Sequence, residues 1–506
     1  MRPFEIVLLL FDLLAFLWLA VPRLRDLRWV GYALPISLII ALTQLLVEGP
    51  RWQMVPAYTL TVIFFLIWLF GIAMRGKLHV NRLISGIGVG VGVFGLFIST
   101  ALPILLPVFQ FPKPTGPYAI GTVTYQWVDT SRPELFSTDP SAHRELIAQV
   151  WYPAKNEPLA PRAPYIQDAN AVTPAIGELL HLPAFVFSHL KYVTTNAVAS
   201  APIADDRASY PVLIYLTGVD GFRSVSTFQI QELVSYGYIV VGLDQPGIAP
   251  SVPLPNGRQI LGWSRDAIQP LINQSVGPEP QAPTVYGKPL PDGIVPYFAQ
   301  DASFALDQLT LLNQNDPNHI LAGRLDLAHA GAFGISLGGM DAAEACLKDP
   351  RLKACLIMDV AMPADVVKAG LKQPTMFITR DANTMRLEHK ENGTWSAQDI
   401  ALAMTTMRAV YDSLPGDGYY VEIPGMFHVN FTDLAYWSPI MPQLGETGPI
   451  DAQRGFDIVN AYSVAFFDRE LKGQSLPLLN GPSKQYPKVI FSSKGGGSTR
   501  HENHHS

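Results

Sequence analysis

The chain has 506 residues, with 36 Lys and Arg against 42 Asp and Glu; a net charge of -6 excludes the strongly basic surface that nucleic-acid binding requires. Only 15% of the residues are charged and the mean hydropathy is +0.19, too apolar for an ordinary soluble protein, so part of the chain is expected in a lipid bilayer. The two cysteines, Cys346 and Cys355, exclude a disulfide-rich scaffold and offer no metal-ligand spacing; they are read as two buried small side chains, with a disulfide between them as the alternative, and no metal is expected.

Four apolar segments open the chain, at residues 4–21, 30–47, 57–73 and 83–109. Each is long enough to cross a hydrocarbon core, which makes residues 1–110 a four-helix transmembrane region. No small-residue cleavage site follows the first, so it is read as a retained helix and not as a signal peptide. Arg23, Arg25 and Arg28 lie between the first two segments, and Arg75, Lys77 and Arg82 between the last two. The middle loop carries only Arg51, offset by Glu48. Cytoplasmic loops are the basic ones, so the N-terminus and everything after residue 109 are expected outside the cytoplasm, in a multi-pass protein of a bacterial inner membrane or its equivalent. Asp12, inside the first span, reads as a helix-to-helix hydrogen bond more than as an ion path, and Gly86, Gly88, Gly90, Gly92 and Gly95 as close helix packing.

A proline-rich linker, residues 112–117, opens a second domain expected over residues 111–490. Short runs of β-branched and aromatic residues predict strands at 123–128, 146–152, 212–216, 238–243, 328–333, 354–358, 375–378 and 419–423. Helical patterns separate most of the later ones, such as residues 301–313 with Ala302, Ala305, Leu309 and Leu312 on one face. Strands alternating with helices imply an α/β fold with a mainly parallel sheet covered on both faces. Residues 246–296, dense in proline and glycine, are expected to be an irregular insertion and a candidate lid. A last helix is predicted at about residues 452–471, and residues 491–506 are expected to form a disordered tail.

The chemistry gathers around Gly334-Ile335-Ser336-Leu337-Gly338-Gly339. A strand enters this segment and a helix leaves it, which is the setting of a nucleophile elbow and so of an α/β-hydrolase fold, with Ser336 exposed at the turn. Gly334 and Gly338 lack the bulk that would keep strand and helix apart. The amide of Leu337 is one candidate oxyanion donor; Val219, in the glycine-bearing loop after the third strand, is the other. The base of such a site comes last in the chain, and His428 follows the eighth strand across a Pro-Gly turn. Between serine and histidine, Asp359 ends the sixth strand and Asp381 follows the seventh; either can orient the imidazole.

Several blocks of this domain, in order, resemble the platelet-activating-factor acetylhydrolases of the plasma and intracellular type II kind. They are Gly116-Pro117-Tyr118-Ala119-Ile120-Gly121, then Val150-Trp151-Tyr152-Pro153, then Gly218-Val219-Asp220-Gly221-Phe222-Arg223, the elbow itself, Met358-Asp359-Val360-Ala361-Met362-Pro363, and Gly425-Met426-Phe427-His428-Val429-Asn430-Phe431-Thr432-Asp433. The resemblance implies a cofactor-free serine esterase acting on phospholipid esters, with Ser336, Asp359 and His428 as its triad; Asp381, which strand position alone slightly favours, stays the alternative acid. Asp220 stands where that family has glycine, and the membrane spans are an addition to it. The expected partners are the bilayer and a lipid ester. A general carboxylesterase or polyester hydrolase is the alternative within enzymes, and a membrane sensor or transport accessory with a silent hydrolase fold the alternative outside them.

Overall fold

The computed structural model describes residues 1–74 and 82–495, and its contacts divide the chain into two units. Arg75, Lys77 and the tail beyond residue 495 lie outside the described residues.

The first unit holds Met1–Gln110 with Phe185–Val193 and Tyr436–Ile440. Its long helices are α1 (Pro3–Ala20), α2 (Ala33–Val47), α3 (Val55–Ala73) and α4 (Arg82–Leu105). Four stretches long and apolar enough to cross a membrane, Pro3–Ala20, Trp29–Val47, Trp52–Ala73 and Gly86–Leu105, coincide with most of these helices, each with a mean hydropathy of about 2. The glycines of α4 divide into two groups. A Cβ on Gly92 would sit 2.4 Å from the Phe16 ring and one on Gly95 2.9 Å from Leu60, so close approach to α1 and α3 depends on them. A Cβ on Gly86, Gly88 or Gly90 would meet nothing within 4 Å among the described residues, so none of these contacts asks for glycine there. Asp12 is fully buried and accepts from the Thr61 hydroxyl at 2.9 and 3.0 Å, a link between α1 and α3. Arg51 is also buried and pairs with both oxygens of Glu5 at 2.6 Å.

The second unit is built on an eleven-stranded sheet. Its principal strands are β1 (Ala119–Pro133), β2 (His143–Ala154), β3 (Tyr210–Leu216), β4 (Ile239–Asp244), β5 (Leu325–Ile335), β6 (Leu352–Met358), β7 (Thr375–Thr379), β8 (Gly418–Glu422) and β9 (Ile490–Lys494). The order is β9-β8-β7-β6-β5-β3-β4-β2-β1, extended by the short strands Thr194–Ala199 and Arg162–Pro164. From β4 to β8 every pairing is parallel, while β2 and β9 run antiparallel to their neighbours. Val212, Leu213, Ile214, Tyr215 and Leu216 are all fully buried, as a central strand covered on both faces must be. The two-residue period of β5 shows both coverings. Ala332 belongs to the core that includes Phe298, Leu306 and Leu309 of helix Val295–Gln314, while Phe333 on the opposite face meets the Phe467 ring at 6.1 Å.

All eight predicted strands are present. Two expectations at the edges are corrected. Residues 491–494 are not tail, because Ile490–Lys494 pairs with β8 along its whole length. Residues 246–296 are not irregular throughout: they hold the helix Arg265–Val276 and two small hairpins. Cys346 and Cys355 are buried and free.

Candidate active site

Ser336 alone makes the turn between β5 and the helix Leu337–Lys348, at φ 57° and ψ -130°, a backbone conformation L-residues rarely adopt. Its amide donates to the Met358 carbonyl at 3.0 Å, tying the turn to the end of β6. The turn closes because its neighbours have no side chains. A Cβ on Gly334 would stand 2.1 Å from the Gly338 carbonyl oxygen, and one on Gly338 2.1 Å from that of Leu216. The helix starts at Leu337, so its first amides have no acceptor within the helix and point their positive end toward the serine.

The loop after β3 comes up against the same turn. A Cβ on Gly218 would lie 2.8 Å from Ser336 Cβ and 3.4 Å from its Oγ, which brings the backbone next to Val219 beside the hydroxyl. Arg223 fixes the far end of this loop: its amide donates to Asp244 Oδ1 at 2.6 Å, its guanidinium pairs with the same carboxylate, and Nε donates to Gln149 at 3.2 Å.

His428 opens a short 3-10 turn after β8, with its side chain one-quarter exposed, and its Nδ1 lies 2.6 Å from Asp359 Oδ2. The loop that carries it is held from two sides. Asn430 Oδ1 accepts from the amides of Phe427 and Gly448, both at 2.8 Å. Asp433 accepts from Thr227 and Phe228 at 2.7 and 3.0 Å, at the start of helix Thr227–Ser235.

Asp359 is fully buried. Its Oδ1 accepts from the Thr379 hydroxyl and from Arg380 Nε, both at 2.9 Å. Burial alone would raise this carboxyl; the Arg380 charge and the bond to His428 outweigh it and hold Asp359 well below the usual carboxylate range. Burial acts in the opposite sense on His428, lowering it below an ordinary histidine despite the pull of Asp359, so the imidazole is neutral and able to accept a proton at neutral pH.

The structure therefore brings Asp359, not Asp381, to the imidazole. Asp381 is the N-cap of helix Ala382–Asn392, accepting from Asn383 and Thr384 amides at 2.9 and 3.1 Å. Arg380 is the chain neighbour of Asp381 and could have paired with it. Instead Arg380 turns inward, fully buried, between Asp359 and Glu388, and its guanidinium lies 4.4 Å from the centre of the Trp395 ring. Glu388 also receives the His428 amide at 3.3 Å, and the Trp395 ring lies 5.1 Å from that of His428. Sequence reading missed Arg380, Glu388 and Trp395. The available signal was weak: an arginine directly after a β-strand that ends at the catalytic edge of the sheet. Among the described residues no group of three or more His, Cys, Asp and Glu comes together as a metal site.

The family model described as platelet-activating factor acetylhydrolase, isoform II, matches residues 307–476, a stretch that spans Ser336, Asp359 and His428. A probable 1-alkyl-2-acetylglycerophosphocholine esterase of Arthroderma benhamiae is 24% identical over 414 residues, covering 76% of this chain and 94% of the relative. The platelet-activating factor acetylhydrolase of Gallus gallus is 23% identical over 396 residues, covering 72% of this chain and 84% of its own length. Among solved structures, a ferulic acid esterase from Streptomyces cinnamoneus superposes with a TM-score of 0.58 at 25% identity, over 76% of this chain and 99% of that one. In sequence the chain is similar to platelet-activating factor acetylhydrolases, and in fold to an esterase of the α/β-hydrolase kind, with four helices apolar enough to cross a membrane ahead of that unit in the chain.

Proposed function

We propose that the protein is a membrane-anchored serine esterase that hydrolyses short or modified acyl esters of phospholipids on the extracytoplasmic side. The observation that carries this reading is the 2.6 Å contact between His428 Nδ1 and Asp359 Oδ2, in a chain whose Ser336 occupies a strained strand-to-helix turn. In this reading Ser336 Oγ attacks the ester carbonyl while His428 Nε2 takes its proton. Asp359 holds the imidazole with Nδ1–H toward the carboxylate and stabilises the imidazolium that forms. The amides of Val219 and Leu337 receive the oxyanion. His428 then protonates the leaving alcohol, and a water activated by the same imidazole releases the acid. None of these steps uses a cofactor. The four helices would keep the site beside its lipid substrate and so raise the local concentration of that substrate.

The likeness to a ferulic acid esterase favours a second reading, a general carboxylesterase whose substrates are soluble. A panel of 2-acyl phospholipids and p-nitrophenyl esters of increasing chain length, assayed on the purified chain, separates the two. Preference for a short sn-2 acyl phospholipid supports the first reading. Turnover confined to the soluble esters rejects it.

A further inference from the structure

The loop beside the elbow carries a charge at an unexpected place. Asp220 stands at φ 63°, two residues past Gly218, whose backbone comes against Ser336. The cation that meets it comes from the 246–296 insertion: Arg265 Nη2 lies 3.4 Å from Asp220 Oδ2. Arg265 is the first residue of helix Arg265–Val276. A cation in the first turn opposes the helix dipole, so local helix preference does not place an arginine there, whereas the facing carboxylate does. The same insertion meets the loop a second time, through the Asp220 amide donating to the Ile248 carbonyl at 3.0 Å. The insertion and the oxyanion loop thus share one backbone bond and one ion pair.

We infer that Arg265 is a positioning residue of the esterase site, its guanidinium cancelling the Asp220 carboxylate so that the Val219 and Leu337 amides meet the oxyanion without a neighbouring negative charge. This rests on the ester-hydrolysing reading above. The charged groups around His428 are Asp359, Arg380, Glu388 and Arg265, and Arg265 is the one that also faces Asp220. Removing it takes a positive charge from the surroundings of the imidazole and leaves Asp220 unbalanced. Both changes favour protonated His428, so the acidic limb of kcat/KM moves to higher pH while kcat falls.

The test is a charge cycle on the purified full chain with p-nitrophenyl acetate, a neutral ester. Arg265→Gln is expected to lower kcat about fivefold, the upper range for a partly exposed pair, with little change in KM and with the acidic limb displaced upward. Arg265→Lys should keep most of the activity. Asp220→Asn combined with Arg265→Gln should recover most of the loss, since asparagine also tolerates a left-handed backbone. An Arg265→Gln enzyme within twofold of wild type and with an unmoved limb overturns the inference. So does a double variant as slow as the single one, which would trace the loss to packing of the helix and not to charge. A wild-type chain inert toward all esters overturns the functional reading itself, and this inference with it.

Discussion

At Asp359 the backbone takes φ 52° and the carboxylate faces inward to Arg380, Thr379 and His428, whereas at Asp381 it caps a helix. The two residues should therefore answer the same substitution differently. Asp359→Asn is expected to leave the fold intact but misdirect the imidazole tautomer, a loss of about 10⁴ in kcat. Asp381→Asn keeps a competent cap and should stay near wild-type turnover. Near-normal activity in the first variant with collapse in the second would reverse the assignment. The aspartate that meets His428 was legible only through neighbouring residues: strand position alone slightly favoured Asp381, and the likeness of Met358 to Pro363 to a known acid loop favoured Asp359. Arg380 was not legible, because the inward turn of one side chain at a strand end depends on Glu388 and Trp395, which are distant in sequence and silent as motifs.

The helix Leu337–Lys348 also carries a buried acid. Its Asp341 is fully buried, and neither carboxyl oxygen has a hydrogen-bond partner among the described residues. Burial, reinforced by the nearby Asp301 and only partly relieved by Arg144, pushes this carboxyl well above its ordinary value. The folded chain then binds the proton more tightly than the unfolded one. Stability from this group is present at low pH and is lost as pH rises from the ordinary carboxylate value through the raised one. Asp341→Asn removes the titration, so the variant should be more stable by at least about 1 kcal/mol at pH 8, with the gain shrinking toward pH 4. Thermal melts of both proteins across that range decide it, and an equal or lower midpoint at pH 8 contradicts the account. The central strands were readable because burial on both faces leaves a plain hydrophobic signature, and Ala119–Pro133 because burial that alternates along it leaves a two-residue period. Ile490–Lys494 was not, since Ile-Phe-Ser-Ser-Lys has the composition of a tail and becomes a strand only through main-chain pairing with β8. The helix Arg265–Val276 was hidden by Pro270 and by a polar exposed face.

For the molecule as a whole the open matters are where the esterase unit lies and what it does. Arg51, the basic residue of the middle loop, is buried against Glu5, so that loop presents less free positive charge than its composition implied. This sharpens the expected sidedness: Lys113→Cys in intact cells or spheroplasts should react with an impermeant maleimide from the outside. Both native cysteines are buried, which keeps the background low. Labelling only after the inner face is exposed would invert the topology. What the protein does is tested most directly at Ser336. The account predicts that purified Ser336→Ala, folded and inserted like wild type, loses ester turnover on the scale of about 10⁶-fold seen for triad serines. A variant that keeps even a tenth of wild-type turnover would contradict it.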